Sequence, residues 1–585
     1  MAMLDGGELL ARTLKAAGVE EAFALHGGHL EALFQGCVNN QIRLTDTRHE
    51  AAAGHAADGY ARSTGKLGVC IVTSGPGFTN VISAVLNAQL DATPTLFIVG
   101  APPLREVETN PLQGGFDQIA MITPAAKWAH RITNPERIPV LTAQAIRMAT
   151  TGRPGAVVLE LPVDVLHMPV DAADVWPAHG MPRGRPRPAP SADEAARLVA
   201  FLAGAERPAI MIGGGARYAE CGAALARFAE LSGIPVVSNT RARGVLDPDH
   251  RLNAGAFGTL GVIGALQGLQ ADRVLILGAR LGLLTGGRSP GMLPTDVRIA
   301  QVDIEPEEIG RVRDVELSVC ADVGSALEAL LAAGADAAWP DWSAWSGALV
   351  GLRSADEMMF ASADPAAPMM HPYLAAKAVV QTAQGKARDP IFVLDGGEAA
   401  SWAEYHVRAR RPGSLLTHGY LGCLGIGQGM AVGAQRAHPD RRVVHVTGDG
   451  AVGFHIQEFD TMVRHGLPIV TVVLNNFVWG MSIHGQDAMY GPNRRVITEL
   501  ADTSYDAVAA AFGCYAERVE RLADLPAAME RALASGRPAC LNVLVDGEPI
   551  LPATLALLGG AGGGDDEIVI PYYENIPIRR SPAGA

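Results

Sequence analysis

Arg442-Val443-Val444-His445-Val446-Thr447-Gly448-Asp449-Gly450 is an apolar, β-branched run that stops at a carboxylate between two glycines. It reads as a buried parallel strand ending in a tight turn. After 24 further residues, Ile469-Val470-Thr471-Val472-Val473-Leu474 has run into Asn475-Asn476 in the same way. Open parallel sheets bind ligands at the carboxyl ends of their strands, so an acid and an amide oxygen are expected side by side there. Magnesium takes an octahedron of oxygens, one or two from side chains and the rest from phosphate and water. Asp449 and Asn476 supply two oxygens, and the carbonyl of Val478 a third. Gly448 and Gly450 let the backbone approach phosphate closely, with Ala451 continuing the turn. Either fragment alone reads as an ordinary turn. Together, each after a strand, they read as a place where magnesium pins a diphosphate.

Strand-like runs alternate with amphipathic helical stretches along most of the 585 residues, the pattern of α/β units with parallel sheets. A length prior of about 150 residues per domain suggests three or four domains. The reading is an α/β chain of three doubly wound parallel-sheet domains. A first unit spans 1–180, and a proline- and arginine-rich linker follows at 181–190. A central Rossmann-like unit spans 191–350, and the unit with the metal motif 365–557. A glycine-hinged tail, 558–585, is apolar enough to pack on the body or close over the site as a lid. In the central unit Gly213-Gly214-Gly215 follows a strand but lacks the full dinucleotide spacing, so it reads as a strand-to-helix turn.

A net charge of −14 argues against nucleic acid or an anionic membrane as partner. No apolar run approaches the roughly 20 residues that span a bilayer, and Met1 to Glu8 does not read as a signal peptide. The seven cysteines are scattered and form no Cys-x-x-Cys pair, so reduced thiols and a cytoplasmic location are expected.

Further segments carry a resemblance. Thr47-Arg48-His49-Glu50 leads through small residues to Gly59-Tyr60-Ala61-Arg62. Leu25-His26-Gly27-Gly28-His29, Leu112-Gln113, His418 to Gly425 and Asn475-Asn476-Phe477-Val478-Trp479-Gly480 complete the set. Over about residues 1–555 these resemble the thiamine diphosphate enzymes of the acetolactate-synthase-like superfamily, and most of all benzaldehyde lyase. Gly28 and Met481 depart from benzaldehyde lyase, which has alanine at both places; the first enlarges the pocket and the second shrinks it. Ser74-Gly75-Pro76-Gly77 follows the wider synthase group, and the tail is longer.

The resemblance implies thiamine diphosphate and magnesium as cofactors, with the cofactor carrying the electronics and the protein its geometry. Glu50 is then the acid that activates the aminopyrimidine ring, although a glutamate starting a helix is also favourable through the dipole. Leu424 is the apolar wedge under the cofactor, and Gly397, Glu398, Gly448, Asp449, Gly450 and Ala451 line the diphosphate, with Asn476 and Val478 at the metal. His29 is the expected proton-transfer group, Gln113 orients the substrate oxygen, and His26 is a polar wall or relay. Without the resemblance both histidines read as ordinary helix-start residues, and no further ligand lies near them for zinc. Leu25, Gly28, Leu112, Met481 and His484 are expected to line the substrate pocket.

The function implied is a carbon–carbon lyase or carboligase acting on aldehydes and 2-hydroxy ketones. A 2-keto-acid carboligase of the acetolactate synthase type and a 2-hydroxyacyl-CoA lyase are the alternatives, and a cofactor-binding protein without turnover stands against the intact Glu50, Asp449 and Asn476. FAD is compatible with the central unit, but nothing in the sequence requires it and none is expected. In the family the site lies between the first unit of one subunit and the third unit of its neighbour. A homo-oligomer, dimer or tetramer, is therefore expected.

Overall fold

The computed structural model describes residues 3–109, 112–181, 184–257, 264–265, 267–282, 293–552 and 554, with the backbone of 567–570 and 576–579. The chain builds three six-stranded sheets in which every neighbouring pair is parallel. The first contains, in spatial order, Arg43–Asp46, Glu21–Ala24, Gly68–Val72, Thr95–Ala101, Ala156–Pro162 and Trp128–Arg131. The third contains Leu415–Thr417, Ile391–Leu394, Val443–Gly448, Val470–Asn475, Ala539–Leu544 and Tyr515–Val519. Counted along the chain, both run 2-1-3-4-6-5. The first and third units thus share one topology although no sequence repeat links them. The middle sheet is ordered 3-2-1-4-5-6, from Asn253–Ala256 at one edge to Leu317–Cys320 at the other, the dinucleotide-fold order.

Strands such as Val443–Gly448 and Val470–Asn475 are buried along nearly their whole length, as sheets covered on both faces require. In both outer units the chain reverses direction across the sheet between its first and third strands. That leaves a crevice at the carboxyl ends, where the loops diverge. Residues 25–29 and 73–75 flank the crevice of the first sheet, and residues 395–398 and 449–451 that of the third.

The two outer units touch through helix Glu50–Thr64, which lies on helix Gly427–Ala437. The approach is close because small residues face each other. A Cβ at Gly433 would stand 1.9 Å from the Ala56 carbonyl oxygen, and one at Gly59 would stand 2.4 Å from that of Met430. Gly213 and Gly215 serve the tight turn read from the sequence, since a Cβ on either would strike Gly278. In the tail, Glu567–Ile570 and Ile576–Arg579 form an antiparallel pair; the rest of the expected lid lies outside the described residues. Among the described residues no helix is long and apolar enough to cross a membrane.

Candidate active site

The carboxyl edge of the third sheet brings the metal candidates together. Asp449 is buried, and the Gly450 N–H donates to its Oδ1 at 2.9 Å, while Oδ2 has no partner. Burial pushes the carboxyl up to about 6, against the backbone N–H groups around it. The Asn476 amide can be oriented in two ways. With its nitrogen toward Asp449 it donates to Oδ1 at 3.3 Å and to the Val478 carbonyl at 2.9 Å. With its oxygen there, three oxygens converge with no hydrogen between them, and a cation relieves the repulsion. One carboxylate, one amide and one carbonyl, with a buried oxygen left unpaired, fit magnesium. Phe477 between the two loop ligands has φ +63°, a left-handed conformation that costs a non-glycine residue about 1–3 kcal/mol and gathers at functional sites.

A glycine-lined cradle adjoins this cluster. Gly396 has φ +89°, and a Cβ there would stand 3.2 Å from the Gly448 nitrogen and 3.4 Å from the Ala451 Cβ. Asp395, fully buried, accepts from the N–H groups of Gly396 (2.6 Å), Gly425 (3.2 Å) and Gly427 (2.8 Å). It thereby ties the cradle to the loop bearing Leu424, which is half-buried between the strand Leu415–Thr417 and helix Gly427–Ala437. Gly425 must be glycine: its φ is +78°, and a Cβ would stand 2.2 Å from that of Phe454.

The other end of this loop is held from the first unit. Arg62 pairs with Asp58 (2.7 Å) and Asp91 (2.7 Å) and donates to the Thr417 carbonyl (3.1 Å). Burial alone would raise the Asp91 carboxyl, but the Arg241 and Arg62 guanidiniums hold it down at about 2. Sequence reading missed Asp395, Arg62 and Asp91 as loop anchors. Their partners are remote along the chain, so only the Gly-Tyr-Ala-Arg match hinted at Arg62.

At the crevice of the first sheet, the adjacent residues Thr73 and Ser74 hold the proton-transfer candidate His29 and the orienting candidate Gln113. Thr73 Oγ1 lies 3.3 Å from His29 Nδ1, and Ser74 Oγ donates to Gln113 Oε1 at 3.2 Å. Nε2 of His29 has no partner among the described residues. Burial lowers the His29 pKa, which favours the neutral ring, the form that can take a proton. Gln113 has φ +65°, and Gly75 must be glycine to clear its side chain, since a Cβ there would stand 2.8 Å from that of Gln113. Gln118, which sequence reading did not single out, fixes the arrangement. Its oxygen accepts from Gly75 N (3.0 Å), and its amide donates to the Gly100 carbonyl (3.0 Å).

Glu50 is the first residue of helix Glu50–Thr64, with His49 capping the helix through its side chain. It is buried and accepts from Asn80 Nδ2 at 3.0 Å, a partner in its own unit. Leu25 is half-buried at the mouth of the first crevice, and Gly28 faces open space, where a Cβ would meet nothing within 4 Å.

Three candidates sit otherwise than expected. His26 is exposed, stacks on Phe34 and pairs with Glu31 Oε2 at 2.9 Å, as a helix-start residue does. Its imidazole satisfies itself locally instead of joining His29. Leu112 is 83% exposed, so in this single chain it lines nothing. His484 is 1% exposed and faces Glu398 instead of a pocket, because the buried carboxylate needs a partner. A negative Glu398 alone would repel a phosphate nearby; the His484 ring offers it a hydrogen-bonding partner. Met481 packs on Gly397 and lines, with Asn239, Arg241, Ser401 and His418, a cavity of about 570 Å³ between the central and third units. Among the described residues no three His, Cys, Asp or Glu side chains cluster to hold a metal, which leaves the mixed oxygen set at Asp449 as the candidate.

Comparison with known proteins gives three domain matches along the chain. Residues 4–121 match the N-terminal TPP binding domain of thiamine pyrophosphate enzymes, 195–330 their central domain and 395–543 their C-terminal TPP binding domain. A probable acetolactate synthase of Mycobacterium bovis is 35% identical over 93% of this chain and 96% of its own length. The large subunit of acetolactate synthase from Corynebacterium glutamicum is 31% identical over 93% of this chain and 87% of its own. A probable acetolactate synthase large subunit from Methanocaldococcus jannaschii is 28% identical over 94% and 93%. The likeness to benzaldehyde lyase read from the sequence finds no counterpart in these relatives.

Proposed function

The chain belongs to the thiamine pyrophosphate enzymes of the acetolactate-synthase-like family, and on that premise we propose that it is a carboligase that makes and breaks the carbon–carbon bond of 2-hydroxy ketones. The observation that carries the proposal is the convergence of Asp449, Asn476 and Val478 oxygens beside the Gly396–Gly448 cradle. Asp449, Asn476 and the Val478 carbonyl would hold magnesium, and the glycine loops would offer N–H groups to the diphosphate. Leu424 would support the thiazolium ring, and Glu50 would hydrogen-bond the aminopyrimidine. When bound, thiamine diphosphate supplies a stabilised carbanion that adds to a carbonyl. His29 would take or return the proton at the substrate oxygen, with Gln113 orienting that oxygen. Loops at the carboxyl edge of the first sheet shape the space around it.

Two donor classes fit. The names of the relatives, acetolactate synthases, favour a 2-keto acid, the alternative donor read from the sequence. His29, held by Thr73 with Nε2 to spare, suits an aldehyde or 2-hydroxy ketone as well, since the oxygen of either substrate must gain or lose a proton in every turnover. Neither route moves a net electron, so turnover itself requires no FAD; the visible absorbance of the purified protein shows whether one is bound.

A homo-oligomer with sites between subunits is also proposed. Leu112 and Phe454 are 83% and 55% exposed on the loops that carry Gln113 and follow Ala451. Apolar side chains on the rims of both half-sites favour burial against a second copy.

The test is to supply thiamine diphosphate and magnesium with pyruvate in one reaction and benzoin in another. Acetolactate and carbon dioxide from pyruvate establish the keto-acid arm; benzaldehyde from benzoin with pyruvate untouched establishes the other. No product from either, or from a wider aldehyde and keto-acid panel, overturns the proposal.

A further inference from the structure

Glu398 and His484 join the two loops that the candidate cofactor site requires. Glu398 opens helix Glu398–Glu404 directly after Gly396 and Gly397, and His484 lies in helix Gly480–Tyr490 just past the Asn476 turn. Both side chains are buried. His484 Nδ1 is 2.9 Å from Glu398 Oε1, and Nε2 is 3.1 Å from the Gly547 carbonyl oxygen. A carboxyl oxygen on one side and a backbone carbonyl on the other give both ring nitrogens an oxygen neighbour. Burial pulls the His484 pKa down; the Glu398 hydrogen bond and charge and the Gly547 carbonyl more than offset this and leave it raised.

The two acceptors of His484 flank the turn that carries the metal candidates. A Cβ at Gly480 would stand 3.2 Å from Glu398 Oε2 and 3.1 Å from the Asn476 amide nitrogen. A Cβ at Gly547 would stand 3.1 Å from Val478 Cγ2 and 3.3 Å from the Asn476 carbonyl oxygen. Glu398 on one side and Gly547 on the other are therefore packed against Asn476–Gly480, with His484 bridging them from behind. The turn contains Phe477 at φ +63°, a conformation that persists only where its surroundings over-determine it.

We propose that Glu398 and His484 are positioning residues for the metal, holding the Asn476 turn so that its amide and carbonyl oxygens converge on Asp449. This rests on the cofactor reading above. Glu398 then acts through His484 and the turn, and does not itself touch the diphosphate.

Trp479 lies against Gly450, where a Cβ would stand 2.5 Å from the ring, so tryptophan fluorescence should report cofactor binding. Magnesium is titrated into apo protein at fixed thiamine diphosphate, with apo unfolding temperatures measured alongside. Glu398→Ala and His484→Ala should each raise the apparent magnesium dissociation constant about ten- to hundredfold, the range for residues that orient a metal's ligands. Glu398→Gln keeps a hydrogen-bonding partner for His484 and should recover most of that loss. The double variant should be no weaker than the weaker single one, because the two side chains act as a unit. Should His484→Ala fail to fold, the Glu398→Ala and Glu398→Gln pair decides. Wild-type affinity in Glu398→Ala, or equal losses in Glu398→Ala and Glu398→Gln, overturns the proposal while the wild type still binds. A wild type that binds neither magnesium nor thiamine diphosphate overturns the cofactor reading itself, and this proposal with it.

Discussion

Glu458 offers a pH-dependent test of how the outer units are held together. It is fully buried in the third unit and accepts from the backbone N–H of Arg48 in the first, at 3.1 and 3.2 Å, and from Thr461 Oγ1 at 2.6 Å. Arg48 immediately precedes His49, which caps the helix that Glu50 begins. Burial pushes the Glu458 carboxyl from 4.5 up to about 7, although Thr461, Arg48 and Arg464 favour the charged form. The folded-state pKa is raised, so its contribution to stability is fully present below about 4.5 and is lost as pH rises through about 7. That interval corresponds to an upper limit of about 3 kcal/mol. Glu458→Gln keeps the shape and an oxygen for Arg48 but cannot ionise. Its stability should match that of the wild type near pH 4.5 and exceed it increasingly up to pH 8, by at most about 3 kcal/mol. Calorimetric unfolding of both proteins at half-unit pH steps measures the gap. Parallel curves, with no widening between pH 4.5 and 7, would refute the burial argument.

Two further outcomes follow from the geometry. Gly433→Ala inserts a methyl group where the Ala56 carbonyl oxygen leaves 1.9 Å, so helices Glu50–Thr64 and Gly427–Ala437 must separate at a cost of about 1–3 kcal/mol; an unchanged unfolding temperature would contradict this. His29→Ala should lower turnover by about 10²- to 10⁴-fold, the usual share of a positioned acid–base group, while thiamine diphosphate affinity measured by fluorescence stays within a few-fold.

The fold was legible because β-branched runs such as Val443 to Thr447 and Val470 to Leu474 can only be strands buried on both faces, and their alternation with helices dictates parallel sheets. The same runs placed Asp449 and Asn476, since a turn residue after such a strand emerges at the sheet's carboxyl edge. Pairing across long separations was not legible. Nothing local links Glu398 to His484, or Arg62 to the Thr417 carbonyl, because each pair forms only when distant elements pack. Buried charge is equally illegible: the segment around His484 suggests a pocket residue, because the carboxylate of Glu398 that claims it lies 86 residues away in the chain. Leu112 shows the reverse case, an apolar residue read as lining that a single chain leaves exposed. His26 was ambiguous for another reason. An i to i+5 contact with Glu31 satisfies it, and a histidine at a helix start looks the same in sequence whether it serves chemistry or the helix.

Hydrogen exchange at the thiazolium C2 position of bound thiamine diphosphate tests most directly the proposal of a magnesium-dependent site activated by Glu50. With magnesium present, the wild type should accelerate that exchange by orders of magnitude over free cofactor, and Glu50→Gln should lose nearly all of the acceleration while still binding the cofactor through Asp449. Equal exchange in the wild type and Glu50→Gln, or no acceleration by either, would contradict the account.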